Sequence, residues 1–290
     1  MNYIVIGSSG FIGSKVYASL KFDPSNNVVG ISSQQVDLSN KDDFKKLNSI
    51  VKTDSIIIMC AGVKKQLGDN IGIFEKNLII INNFIRVILH VRPKKIIFFS
   101  SASVYGEDVL HINKIDENTL MDNRSYYGIG KHMSELLLSK ACQEVKTELV
   151  ILRPPLIYGD GDLSFGYGPT GFLRKALDRD EITMWGDGTE LREFIYINDV
   201  VDIIKKLINS EFNGVLNLVS GVSYNYLDIL QILRDTLNLD LKVSSRIRSK
   251  EKVDQLFSNE RVKNVTHDFC FTSLEFGIKL MYESMRIKDK

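Results

Sequence analysis

The sequence predicts an α/β chain: a doubly wound parallel sheet followed by a smaller α/β domain toward the C-terminus. Three observations point there. Short apolar runs alternate with helix-length segments through the first half. A glycine-rich turn directly follows the first run. The alternation ends at Arg153-Pro154-Pro155, beyond which glycines become dense.

The strand candidates fall at 3–6, 28–31, 55–60, 95–100 and 149–152. Each is a near-continuous apolar run, as expected of parallel strands covered on both faces. Helical segments at 13–20, 42–51, 71–91 and 125–142 lie between them, and repeated strand–helix units imply right-handed crossovers. Past residue 155 come Gly159, Gly161, Gly166, Gly168 and Gly171, then a helix at 171–178. A strand at 192–197, a helix at 198–207 and a further sheet strand at 215–219 follow. The expected division is a dinucleotide-binding domain over 1–155, with chain returning to it at about 192–219. A smaller substrate-binding domain takes 156–191 and 220–290.

Composition bounds the function. Of 290 residues, 44% are hydrophobic and 25% charged, ordinary for a globular chain with a sizeable core. The net charge of +1 supplies no global field for nucleic acid or an anionic membrane. Cys60, Cys142 and Cys270 are odd in number and widely spaced, so reduced thiols are expected, with no disulfide framework and no metal site. The start of the chain runs straight into a strand without a basic leader. The longest apolar stretch, 77–91, is broken by Asn82, Asn83, Arg86 and His90. The expectation is a cytoplasmic protein.

Gly7-Ser8-Ser9-Gly10-Phe11-Ile12-Gly13 leaves the first strand and opens a helix. Small residues let backbone approach a pyrophosphate, and the helix N-terminus offers free N–H groups and a positive dipole end. The spacing is GxxGxxG rather than GxGxxG. An ordinary strand–helix turn is the competing explanation. After the second strand comes Ser32-Ser33-Gln34-Gln35, with neither acid nor arginine. An acid there would select NAD. Neutral side chains such as Ser32 tolerate a 2′-phosphate better than a carboxylate does, which leans the cofactor toward NADP while leaving NAD open. Asp37, before Leu38, could accept from the adenine amino group or cap the helix at 42–51.

Tyr127 and Lys131 stand at i and i+4, on one helix face. A phenol with a pKa near 10 is a poor base at neutral pH, and a nearby ammonium stabilises its phenolate. The pair could then remove a proton from a hydroxyl, or return one to an alkoxide. Tyr126 has Gly130 at i+4, so Tyr127 is the candidate. After the fourth strand, Ser100-Ser101-Ala102-Ser103-Val104-Tyr105-Gly106 stands where open α/β sheets bind ligands, and a serine there can hold a reacting oxygen.

These segments, together with Arg153–Gly159 (RPPLIYG) and Gly186–Val200 (GDGTELREFIYINDV), resemble the NAD-dependent epimerase/dehydratase family of extended short-chain dehydrogenases. The resemblance implies a Rossmann sheet and a nucleotide-diphosphate sugar as substrate. It implies catalytic roles for Ser101, Tyr127 and Lys131. It places cofactor contacts at Gly7, Ser9, Gly10, Phe11, Ile12, Gly13, Ser32, Asp37, Leu38, Cys60, Ala61, Gly62, Tyr127, Lys131 and Pro154. It places Arg192 on the substrate diphosphate, which a guanidinium can grip as a fork. A surface ion pair with Glu190 or Glu193 is the alternative for Arg192. It also implies a homodimer, with Ile79, Ile80, Ile81 and Leu136, Leu137, Leu138 as apolar positions for a helix-pair interface or for burial on the sheet.

Sugar-nucleotide 4,6-dehydratases carry an Asp-Glu pair just after the catalytic threonine. Here Ala102 and Ser103 stand there, so that elimination is disfavoured. The expected activity is a sugar-nucleotide epimerase using bound NAD or NADP. A net 4-keto reductase using NADPH is the alternative, a uronic acid decarboxylase a third, and a non-catalytic dinucleotide sensor the reading outside catalysis. Surface-polysaccharide synthesis is the family's habit.

Overall fold

The structure is a computed structural model describing residues 1–40, 42–162, 167–248 and 251–288. Gly166 of the expected glycine-dense stretch lies outside them. The chain divides into two compact units.

Unit 1 comprises 1–106, 120–154 and 201–217. Its six-stranded parallel sheet contains β1 (Asn2–Ile6), β2 (Asn27–Ile31), β3 (Ser55–Met59), β4 (Lys95–Phe99), β5 (Glu148–Arg153) and β9 (Gly214–Asn217), in the order β2-β1-β3-β4-β5-β9. The β-branched runs predict this. All five residues of β3 and of β4 are buried, as parallel strands require. Around the sheet run α1 (Phe11–Lys21), α2 (Phe44–Ile50), α3 (Ile71–Val91) and α4 (Tyr126–Val145). Ile57, Met59, Ile96 and Phe98 from the strands pack with Phe84, Val87 and Leu138 from the helices. Strand order reverses between β1 and β3, and ligands of open α/β sheets bind outside the strand ends at such a point.

Helix limits follow local chemistry. Asn70 caps α3 by accepting from the Ile73 amide at 3.1 Å, and Ser125 caps α4 by accepting from Gly128 at 3.0 Å. Helix α1 starts at Phe11, earlier than expected, because the extended Gly10 is its cap and Gly13 belongs to its first turn. Asp43 holds the N-cap position of α2 without a side-chain cap bond, and the Asp37 carboxylate is taken by the Ser39 amide and hydroxyl, so Asp37 is not a helix cap. Of the apolar positions on α3 and α4, Ile80, Ile81 and Leu138 are buried, whereas Ile79, Leu136 and Leu137 are exposed.

Unit 2 comprises 107–119, 155–200 and 218–290. It contains two parallel strand pairs, β6 (Leu156–Tyr158) with β8 (Phe194–Tyr196), and β7 (Glu181–Trp185) with β10 (Lys242–Arg246). Helices α5 (Pro169–Leu177), α7 (Tyr226–Gln231), α8 (Glu260–Thr266) and α9 (Leu274–Lys288) complete it, and α6 (Ile197–Ile208) begins in it and ends in unit 1. Two boundaries differ from the expected division. Residues 107–119 join unit 2 because Ile115 bridges Phe257, its amide bonding the Leu256 carbonyl at 2.8 Å. Residues 192–200 join it because β8 pairs with β6.

Candidate active site

The glycine turn is built for close backbone approach. Gly7 has φ +86°, a left-handed conformation that favours glycine, and a Cβ on it would lie 2.9 Å from the Ala61 amide nitrogen. A Cβ on Gly13 would lie 2.1 Å from the Gly7 carbonyl oxygen. The turn is thus pressed against the end of β3 at the point where strand order reverses. Gly10 bonds back to the Gly7 carbonyl at 3.0 Å, and no side chain caps α1 and no acid occupies its first turn. Ser9 and Gly10 are exposed, and Phe11 and Ile12 half-buried. An open helix terminus behind a cradle that Cβ atoms would fill suits a pyrophosphate.

At the end of β2, the Ser32 amide and hydroxyl both bond the Gln35 side-chain oxygen, at 2.9 and 3.2 Å. Asp37 accepts from the Ser39 amide and hydroxyl at 2.9 and 2.7 Å, which holds its carboxyl below the usual range. Leu38 is buried. Sequence reasoning missed how this loop is held. Asn83, buried on α3, donates to the Leu38 and Asn40 carbonyls at 2.9 and 3.2 Å. Asn77 likewise pins the loop after β3, accepting from the Val63 amide at 2.7 Å and donating to its carbonyl at 3.1 Å. Both sit on the helix face that carries the apolar stripe, and a polar residue there is the signal that could have found them.

Three elements carry the predicted catalytic set. Ser101 follows β4, and its hydroxyl accepts from the Ser103 amide at 3.1 Å and donates to the Ser103 hydroxyl at 3.0 Å, capping a short turn over Ala102–Tyr105. Tyr127 is half-buried in the first turn of α4, with its amide bonded to Asp69 at 2.9 Å. Helix α4 starts hard against the serine turn: a Cβ on Gly128 would meet the Ser103 carbonyl oxygen at 2.6 Å. The buried Pro154 accepts from the Ala102 amide at 2.8 Å, tying the end of β5 to the same turn.

Lys131 extends its ammonium inward to the Phe99 carbonyl, at 2.6 Å. It lies 5.8 Å from the Tyr127 ring centroid and 5.1 Å from that of Phe98. Desolvation lowers its pKa to about 8, against the opposing pull of Glu135 and then Cys60. Burial pushes the Cys60 thiol up to about 12, so it stays neutral at pH 7. Ser100, the neighbour considered beside Ser101, is buried and donates to Glu135. Ser101 is the half-buried member of the two.

Arg192 belongs to unit 2. Its guanidinium pairs with Glu190 at 2.7 Å and donates to the Leu191 and Val253 carbonyls at 2.8 and 2.5 Å. Of the two acids considered for it, Glu190 is therefore the partner. Glu193 is buried instead and accepts from the Ser220 and Gly221 amides, while burial raises its pKa to about 7.

A parallel sheet with a glycine-rich turn at its switch point is the fold class of dinucleotide-binding α/β proteins. The profile of the NAD dependent epimerase/dehydratase family matches residues 3–257, and the chain belongs to that family. The chain is 24% identical to GDP-6-deoxy-D-talose 4-dehydrogenase of Aggregatibacter actinomycetemcomitans, over 98% of each. It is 25% identical to N-acetyl-alpha-D-glucosaminyl-diphospho-ditrans,octacis-undecaprenol 4-epimerase of Escherichia coli O157:H7, over 99% of this chain and 84% of the relative. UDP-glucuronic acid 4-epimerase of Bacillus cereus, solved with UDP-glucuronic acid and NAD, superposes with a TM-score of 0.84 at 21% identity, over 99% of this chain and 100% of that one. No helix among the described residues is long and apolar enough to cross a membrane.

Proposed function

We propose that this chain is a nucleotide-sugar epimerase that transiently oxidises a ring hydroxyl. The observation that carries the reading is the Tyr127–Lys131 pair, one helical turn apart, with the Lys131 ammonium fixed on the Phe99 carbonyl beside the end of β4. When bound, NAD or NADP supplies the hydride acceptor and donor. Gly7, Ser9, Gly10, Phe11, Ile12 and Gly13 are assigned to its pyrophosphate, and Ser32, Asp37 and Leu38 to its adenosine half. Cys60, Ala61, Gly62 and Pro154 are assigned to the strand ends along which it runs, and Lys131 to a ribose.

Tyr127 takes the proton of the substrate hydroxyl and returns it once the configuration is inverted. Lys131 favours the phenolate by its positive charge. Ser101 holds the reacting oxygen toward the phenol. Arg192 is assigned to the substrate diphosphate, for which it must exchange Glu190 for phosphate oxygens. The exposed Ile79, Leu136 and Leu137 support a homodimer through α3 and α4. Light scattering tests that: a monomer independent of concentration would remove it.

A second reading, a 4-keto sugar-nucleotide reductase using NADPH, is favoured by the acid-free end of β2 and by the full-length likeness to a 4-dehydrogenase. Denaturing the purified protein and identifying what it releases separates the two. Stoichiometric NAD supports the epimerase. An empty protein that binds NADPH more tightly than NADH supports the reductase.

A further inference from the structure

The stripe of Tyr127 and Lys131 continues one turn further to Glu135, which is 3% exposed. Its carboxylate accepts from the Ser100 hydroxyl, from Arg153 Nε at 3.0 Å and from Arg153 Nη2 at 2.6 Å. Arg153, itself 2% exposed, also donates to the Tyr105 hydroxyl at 2.8 Å, and Tyr105 donates to Asn217 at 2.7 Å. One network thus joins α4 to the ends of β4, β5 and β9 and to the turn that Ser101 caps. A buried ion pair adds little net stability over an apolar pair of similar volume, because both charges lose their water. Its position is the better clue to its use: one end holds the residue next to Ser101, the other stands a turn from Lys131.

We propose that Glu135 is a positioning residue that, clamped by Arg153, fixes Ser100 and thereby Ser101, and supplies the negative charge that keeps Lys131 protonated. This rests on the roles given to Tyr127 and Lys131 above. Around the Lys131 ammonium stand the Cys60 thiol from the end of β3, the Phe98 ring and Phe99 carbonyl from β4, the Tyr127 ring and Glu135 from α4, and the uncharged Asn77 and Ile80 from α3. Beside the neutral Cys60 thiol, Glu135 is the acidic side chain of that set, its carboxylate held by Ser100 and Arg153.

The test is a nitrogen-15 NMR titration of the full chain labelled on lysine side chains, with the Lys131 signal assigned by its loss in Lys131→Arg. The wild-type midpoint is expected near 8. Glu135→Gln should lower it by about one unit, since an opposite charge nearby favours the charged form, and Glu135→Asp should restore most of the shift. An unmoved midpoint in folded Glu135→Gln would overturn the proposal. If the unpaired Arg153 prevents folding, the double variant Glu135→Gln, Arg153→Gln is compared with Arg153→Gln alone, so that only the carboxylate differs, and an equal Lys131 midpoint in those two overturns the proposal. The functional reading fails separately: wild-type turnover in Tyr127→Phe would sink the catalytic assignment and leave the Lys131 titration standing.

Discussion

Lys131 donates from Nζ to the carbonyl oxygen of Phe99 over 2.6 Å, two residues before Ser101. That bond fixes the ammonium to the end of β4, the strand that Ser101 follows, so the Lys131 side chain ties α4 to the strand end. Because desolvation lowers its pKa to about 8, Lys131 is charged below that pH and loses its proton as pH rises through it. Turnover is therefore expected to fall on the alkaline side near pH 8. In Lys131→Arg, which stays charged, that limb should move to higher pH. A pH profile of kcat whose alkaline limb is the same in both proteins would refute this.

Gly13→Ala places a methyl 2.1 Å from the Gly7 carbonyl oxygen, against backbone that cannot swing aside. The glycine turn should open, with a stability loss of about 1–3 kcal/mol typical of overpacking and at least tenfold weaker dinucleotide binding. Urea unfolding and fluorescence titration with NADH and NADPH measure the two effects. Unchanged affinity would show that the turn does not hold the cofactor.

Arg153→Met leaves the Glu135 carboxylate buried without its main partner. A loss of about 3–5 kcal/mol is expected, while the double variant Arg153→Met, Glu135→Met should recover most of it. Chemical denaturation of both reads the difference.

Ser32→Asp puts a carboxylate at the end of β2, where none stands now. It should shift preference from NADPH toward NADH by repelling a 2′-phosphate while accepting from a ribose hydroxyl. The ratio of the two dissociation constants, before and after, decides it. No change would place the adenosine ribose elsewhere.

Arg192→Ala should weaken UDP or GDP binding by about ten- to a hundredfold, the range for charged hydrogen bonds of roughly 1.5–3 kcal/mol. Calorimetry with both nucleotides tests the assignment, and equal affinity in wild type and variant would leave Arg192 to its bonds with Glu190, Leu191 and Val253.

What could be read from the sequence was what local backbone geometry dictates. The glycine turn is legible because Gly7 and Gly13 cannot carry a Cβ. Tyr127 and Lys131 are legible because helical periodicity alone puts them on one face. Four of the five apolar runs are legible because strands buried on both faces leave no polar alternation, while β2, in which only Ile31 is buried, is legible by its Val28-Val29 pair. Glu135, Arg153, Tyr105 and Asn217 were not assembled, because their bonds span 18, 48 and 112 positions and no local pattern announces them. The pairing of β7 with β10 escaped for the same reason. Each is five residues long, β10 holds only one apolar residue, and 61 positions separate paired residues such as Thr183 and Ser244. Arg192 was legible by type and its Glu190 partner by proximity, but the choice between Glu190 and Glu193 turned on burial, which adjacent acids do not reveal.

Strand β9 enters the sheet only after the chain has left unit 1 and returned, and its last residue, Asn217, accepts the Tyr105 hydroxyl at the end of the serine turn. Unit 1 is consequently not a separable cassette. A fragment ending at Pro154 would expose one side of β5 and strip Tyr105 and Arg153 of their terminus. Chimeras that exchange N-terminal halves between relatives should fold only when residues 201–217 travel with them, so this short return segment has to evolve in step with a turn more than a hundred residues upstream.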